Sequence, residues 1–413
     1  MLALISCLLG DRCFQDIDAN RERPNLDTYY LSESGHFMIH YDTEGNNAPN
    51  SNDININNVP DYIESVASIA EESRNTLINL MGYLPEPNDG DNIYDIYVLN
   101  QSAWGWNAVE NSITGASYIK IDNDYSGANF ESDYCDDNLD KMKISVAHEF
   151  FHAIQRSYRP NPNTDHDFLL EMSSMWFEDL MVPECNDYLS FVDALSYSIF
   201  NNPTQKFDGS DLTSNQSSAN FGYSMALFLH YLSSQFEEIV VRKIWEEYSL
   251  GFNAREAIIQ TIQNDFNGTF SEAWTDFISS NMFCGYYNYF NQDIYYYSDQ
   301  QYVDPIETDF SDYVFSENSQ SYSLEISPYS ASILTLGIME DMLVNIDFPD
   351  YEEFSGYYST VPSFRSLIDD SLSNFELNSG SVGIMKSIEK FVSFICRTWE
   401  LNPRRLKKFY FFS

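Results

Sequence analysis

Residues 148–152 read His-Glu-Phe-Phe-His. On a helix, histidines four residues apart share one face, so the imidazoles of His148 and His152 can reach a single metal ion. Glu149 follows the first ligand and stands where it can act as general base on a zinc-bound water. The chemistry this pattern points to is hydrolysis at a zinc centre. Only six histidines occur in 413 residues, so a pair at this spacing around a glutamate is a specific signal. The flanking residues agree: KISVAHEFFHAIQRSY places Ile144, Ala147, Phe151 and Ile154 at helical spacing, with Pro160 and Pro162 as stops.

A catalytic zinc usually takes three protein ligands and a water. A third histidine in the extended pattern HExxHxxGxxH is excluded, because those positions hold Gln155 and Tyr158. Residues 168–180, FLLEMSSMWFEDL, predict a second helix behind the capping candidates Thr164, Asp165 and Asp167. Glu171 is the lone acid in its apolar first turns, where a carboxylate needs a partner. Glu178 lies two turns further along the same face and can orient a ligand histidine. The reverse assignment, Glu178 as the ligand, stays open at this point. His166 reads as a surface residue ahead of the helix.

HEFFH, eighteen residues, then E-x-x-x-x-W-x-E resembles the gluzincin metallopeptidases, the thermolysin and aminopeptidase type. In that family the second segment commonly reads E-G-x-A-x-Y-x-E; here Met172, Ser174 and Trp176 stand in the Gly, Ala and Tyr positions. The chain is also similar to secreted bacterial proteins assigned as metalloproteases. That likeness is carried by His36–Thr43, Asp53–Glu64, Tyr94–Val98, Ser117–Tyr125 and His148–Gln155, and it spans roughly residues 30–290. It implies His148, His152 and Glu171 as zinc ligands and Glu149 as general base. It also implies a downstream Tyr or His that donates to the developing oxyanion. Tyr223, in the amphipathic segment Phe221–Leu232, is the first candidate and His230 the second. Finally, it implies a sheet edge just before the active helix, to which an extended peptide adds. The residues in that place are Ala116, Ser117, Tyr118 and Ile119.

A second metal site is suggested upstream. Residues 53–64 fit D-x-[DN]-x-[DN]-G-x₅-E, with Asn58 in the glycine position. Asp53, Asn55, Asn57, the Val59 carbonyl, Asp61 and Glu64 would supply oxygens suited to Ca²⁺.

These residues need elements to hold them. Strands fit residues 36–42, 93–99 and 116–122, a helix fits 60–81, and the two zinc helices follow. Mostly helical patterns then run to about 283, and alternating segments with many Ser, Asp and Tyr occupy 301–375. The expected fold is α+β, a zincin-like two-lobed peptidase with the cleft between a small sheet-bearing lobe and a helical lobe. Four regions are expected: an export or lipoprotein-like segment at 1–28, the metallopeptidase domain at 29–300, a small β-rich region at 301–385, and a tail at 386–413. The tail carries seven basic and two acidic residues and looks foreign to the rest.

A net charge of −42 argues against nucleic acid as a partner, since phosphate would be repelled. An aromatic content of 16% argues against a disordered acidic chain. The six cysteines are too dispersed for a zinc ribbon, but Cys135 and Cys185 flank the zinc helices and could bond in an oxidising compartment. Leu-Ile-Ser-Cys7 resembles a bacterial lipoprotein box, which would make Cys7 a lipid anchor. No apolar run is long enough to span a membrane. The expectation is a secreted, periplasmic or bacterial cell-surface zinc endopeptidase acting on protein or peptide substrates. The alternatives are an aminopeptidase on the same zinc site and a Ca²⁺-structured surface binding protein with an inert zinc site.

Overall fold

The computed structural model describes residues 23–162, 166–281, 284–285, 296–306 and 329–331, with strand backbone at 13–16 and at intervals from 310 to 412. The fold is mixed, α+β, and divides into two units: residues 1–194 with 222–266, and 195–221 with 267–413.

The first unit is built on a six-stranded sheet. Its strands are β1 (Cys13–Asp16), β2 (Thr28–Leu31), β3 (Phe37–Tyr41), β4 (Tyr94–Val98), β5 (Gly105–Val109) and β6 (Ser117–Ile121), in the order β1-β5-β6-β4-β3-β2. β3, β4 and β6 run parallel, β2 and β5 are antiparallel to their inner neighbours, and β1 is parallel to β5. Every residue of β4 is buried, as expected of a central strand covered on both faces. β3 alternates instead, with Phe37, Ile39 and Tyr41 turned into the core.

Helix α1 (Asp61–Arg74) follows β3 and passes into a π-helical turn, Asn75–Leu80. The helix expected at 60–81 is therefore two kinds of helix in succession, closed by Gly82 at φ 76°. α2 (Asn138–Tyr158) carries the HEFFH residues. It starts where the Asp137 carboxylate accepts from the Leu139 and Asp140 amides. Nearly all of α2 from Lys141 onward is buried, because β5 and β6 lie on one side and α1, α3 and α7 on others. Phe150 meets Phe37 and Tyr94 edge-on at 5.1 and 5.6 Å between ring centroids, which fixes the helix to the sheet. α3 (Asp167–Met181) packs along α2, with Phe177 against Phe151 at 5.4 Å. Asp167 stands in its first turn; Thr164 and Asp165 lie outside the described residues.

After α3 come α4 (Leu189–Ala194), α5 (Ser218–Ser224), α6 (Ala226–Phe236), α7 (Ile239–Ser249) and α8 (Ala254–Asn264). The segment expected as one helix at 221–232 is two, separated at Met225. α6, α7 and α8 belong to the same unit as the sheet rather than to a separate helical lobe.

A disulfide joins Cys135, just before α2, to Cys185, just after α3, with the Cα atoms 4.7 Å apart. It closes a loop over a separation of 50 residues that contains every HEFFH residue and Glu171. Replacing both cysteines by serine is expected to cost about 4 kcal/mol of unfolding free energy through loop-closure entropy. Urea unfolding of the two forms, compared at equal m-value, measures this.

The second unit holds α9 (Phe270–Asn281) and the strands β7 (Phe310–Val314), β8 (Ser321–Leu324), β9 (Ser332–Ile338), β10 (Met342–Asp347), β11 (Gly356–Val361), β12 (Asn374–Leu377), β13 (Val382–Met385), β14 (Lys390–Cys396) and β15 (Lys407–Phe412). They form a four-stranded sheet, β13-β10-β15-β8, and a five-stranded sheet, β12-β11-β14-β9-β7. The segment expected as a tail thus supplies two inner strands, β14 between β9 and β11 and β15 between β8 and β10. No described helix is long and apolar enough to cross a membrane. Cys7 lies outside the described residues.

Candidate metal centre

α2 and α3 bring three donor atoms together. His148 Nε2 lies 3.0 Å from His152 Nε2 and 3.1 Å from Glu171 Oε2, and His152 Nε2 lies 3.3 Å from the same carboxylate oxygen. All three side chains are buried, and among the described residues this is the group able to hold a metal ion. Bonds of about 2.0–2.1 Å in a tetrahedron put neighbouring ligand atoms about 3.3 Å apart, so the donor set fits a small divalent cation with little movement. Burial pushes the Glu171 carboxyl up, but His152 and His148 outweigh it and hold it down at about 2. The ligand oxygen is therefore anionic throughout the physiological range.

Outer partners fix both imidazoles. His148 Nδ1 bonds Glu178, which leaves Nε2 directed at the cluster. His152 Nδ1 lies 2.9 Å from Gln155 Oε1 and 3.3 Å from Ser174 Oγ. Gln155 is itself oriented, because its amide donates to the Leu170 carbonyl and to the Ser173 and Ser174 hydroxyls. The assignment of Glu171 as ligand and Glu178 as the partner of His148 is the one this geometry favours. Gln155 was passed over in the sequence; the available signal was its position three residues after His152, on the same helical face.

Glu149 is fully buried at the face of α2 that meets β5. Gly105 makes that approach possible. A methyl group built on Gly105 would lie 2.5 Å from Glu149 Cγ and 2.7 Å from its Oε1. Two residues on, Asn107 donates to the Glu149 carbonyl at 3.2 Å and accepts from Arg156 Nε at 2.9 Å. Burial pushes the Arg156 guanidinium down to about 10, against the raising influence of Tyr94, Glu149 and Glu171. β5 thus lines the carboxylate at Gly105 and is pinned to α2 through Asn107. Its importance was not visible in the sequence.

Tyr223 is buried with its ring 6.0 Å from that of His148, edge to face, and 4.7 Å from Phe191. The neighbouring Gly222 presses on α3: a methyl there would stand 2.7 Å from the Phe168 carbonyl oxygen and 3.0 Å from Glu171 Cβ. His230 is directed elsewhere, with Nε2 3.3 Å from Asp179 Oδ2, and burial pushes its imidazole down to about 3. His166 Nδ1 lies 2.8 Å from the Tyr248 hydroxyl and takes no part in the cluster.

One expectation is corrected. Ala116, Ser117, Tyr118 and Ile119 do not offer a sheet edge, because β6 is bonded to β4 on one side and to β5 on the other. The strand after β4 folds back as a hairpin partner, and this removes the edge.

The Asp53–Glu64 loop has the expected left-handed turn, with Asn58 at φ 67° and Ile56 at φ 62°. It is closed by its own side chains. Asp53 accepts from the Asn57 and Asn58 amides, Asp61 from Ile54, and the side-chain amides of Asn55 and Asn57 donate to Glu64. Val59 donates its amide to Asn57 Oδ1. None of its residues belongs to the three-donor cluster.

No protein-family model matches the chain, and no curated protein matches it. What the centre can do follows from its own residues.

Proposed function

We propose that the chain is a zinc-dependent endopeptidase of the zincin type that hydrolyses peptide bonds of extracellular proteins. The observation that supports this reading best is a donor set of two imidazoles and one carboxylate, with a buried glutamate, Glu149, next in sequence to the ligand candidate His148. A purely structural zinc site usually closes its fourth position with another protein ligand and has no use for such a carboxylate.

Zinc, when bound by His148, His152 and Glu171, supplies a Lewis acid that polarises the scissile carbonyl. Glu149 takes the proton of the attacking water and passes it to the leaving amine. Its buried setting, walled by β5, keeps the carboxylate in one orientation. Glu178 and Gln155 hold the two imidazoles in the tautomer that offers Nε2. Tyr223, packed against His148, is the group proposed to donate to the developing oxyanion. The Cys135–Cys185 bond and the charge of −42 support an exported protein.

Metal removal tests the reading. Purified protein is expected to carry one zinc per chain by elemental analysis, to cleave casein, to stop after dialysis against a chelator, and to recover with zinc. Casein cleavage that survives complete zinc removal would end the proposal.

Gly105→Ala provides a second check. The added methyl must push Glu149 aside, so cleavage is expected to fall about 10²-fold or more while one zinc per chain stays bound. Unchanged kinetics would mean that Glu149 is not held against β5 during the reaction.

A further inference from the structure

The sheet margin beside Glu149 is taken by the chain itself. β1 pairs in parallel with β5, with Cys13 opposite Gly105, Phe14 opposite Trp106, Gln15 opposite Asn107 and Asp16 opposite Ala108. Gly105 and Asn107 are the two residues that receive the Glu149 side chain and hold its carbonyl. β1 therefore runs along the strand that lines the proposed base. With β6 on its other side, β5 has both of its edges bonded.

We propose that β1 is a self-blocking strand: it occupies the backbone groups of β5 to which an extended peptide would add, and it must leave before substrate docks. This rests on the peptidase reading, since it names how that site is regulated.

The pairing is built to be releasable. β1 has four residues and, among the described residues, one neighbouring strand, and parallel pairs are slightly weaker per residue than antiparallel ones. A peptide that adds to β5 uses the same row of donors and acceptors. What keeps β1 in place is a tether. Arg23, seven residues beyond Asp16, forms ion pairs with Asp89 and Glu110 at 2.5 Å each and with Asp95. Glu110 is the residue directly after β5, so the clamp sits at the end toward which β1 runs. A strand held by so short a link competes at an effective concentration on the order of mM. Peptides that bind β5 more weakly than this are excluded. The Arg23 side chain is 34% exposed, so the clamp is open to salt.

The test uses the full chain with Phe14→Pro and Gln15→Pro together, which remove the amide donors at the centre of β1. Three readouts are compared with the unmodified chain: hydrogen exchange of the β5 amides, polarisation of fluorescein-labelled oxidised insulin B chain added to the Glu149→Gln background, and cleavage of that peptide with Glu149 intact. The expected result is faster exchange over 105–109 and about ten-fold tighter peptide binding, with a matching rise in kcat/KM. Arg23→Gln is expected to give a smaller change in the same direction, and it stands in if the proline chain does not fold. Unchanged peptide affinity despite faster β5 exchange would overturn the self-blocking role, as would unchanged β5 exchange. The two readings separate cleanly. Tighter binding without cleavage by any form supports the blocking strand and removes the peptidase. Equal cleavage by both forms keeps the peptidase and removes the blocking strand.

Discussion

Glu149→Gln is expected to lower kcat/KM for casein by about 10²–10⁴-fold while zinc content and thermal stability stay at the unmodified level. The substitution keeps the shape of a side chain that is fully buried and packed on Gly105, so the fold has no reason to change. What it removes is basicity. Glutamine cannot take a proton from the attacking water, and the loss therefore appears as a slower chemical step rather than as weaker binding. Zinc analysis of the same preparation makes the outcome decisive. Loss of cleavage with zinc retained assigns the base to Glu149, whereas undiminished cleavage removes it from the mechanism.

Glu171→Ala is expected to weaken zinc binding far more than Glu178→Ala does. Glu171 places Oε2 within 3.1–3.3 Å of both imidazole Nε2 atoms, so its removal takes away one of three donors. The Glu178 carboxylate bonds His148 Nδ1, the ring nitrogen turned away from the cluster, and loss of such an outer partner typically costs about 10–100-fold in affinity. Competition against a chromophoric chelator, run on both variants, ranks them. If Glu178→Ala proved the more damaging, Glu178 would be the ligand and the two glutamates would exchange roles. The anionic state of Glu171, held at about 2 by the two imidazoles, means that this ranking holds at neutral pH without correction for its protonation.

The two helices were legible because their apolar residues recur at helical spacing and because the chemistry sits at i, i+1 and i+4 on α2. β3, β4 and β6 were legible as short runs of Ile, Tyr and Val. β5 was not. Its sequence, Gly-Trp-Asn-Ala-Val, carries two residues that rank low in strand propensity, Gly105 and Asn107, and each has a reason that only the fold reveals. Gly105 makes room for Glu149, and Asn107 satisfies its carbonyl while holding Arg156. Missing β5 led directly to the expectation that residues 116–119 form an edge. Gln155 is harder to read for a related reason: its spacing from His152 is local, but the partners that orient it lie on α3. Likewise, the seating of Gly222 against Phe168 is a contact between distant segments that no local pattern marks.

The bond between Cys135 and Cys185 has a consequence for the order of events in the life of the molecule. It turns the stretch that bears every proposed zinc ligand into a covalent ring. Once the ring is closed, the entropy of bringing the two ligand helices together has already been spent, and less of the metal's binding free energy goes into ordering them. Before closure the same ligands must be gathered by packing alone. On the proposed reading, capture of the metal is thereby strengthened by oxidation, and a chain still in a reducing compartment is the weaker competitor for it.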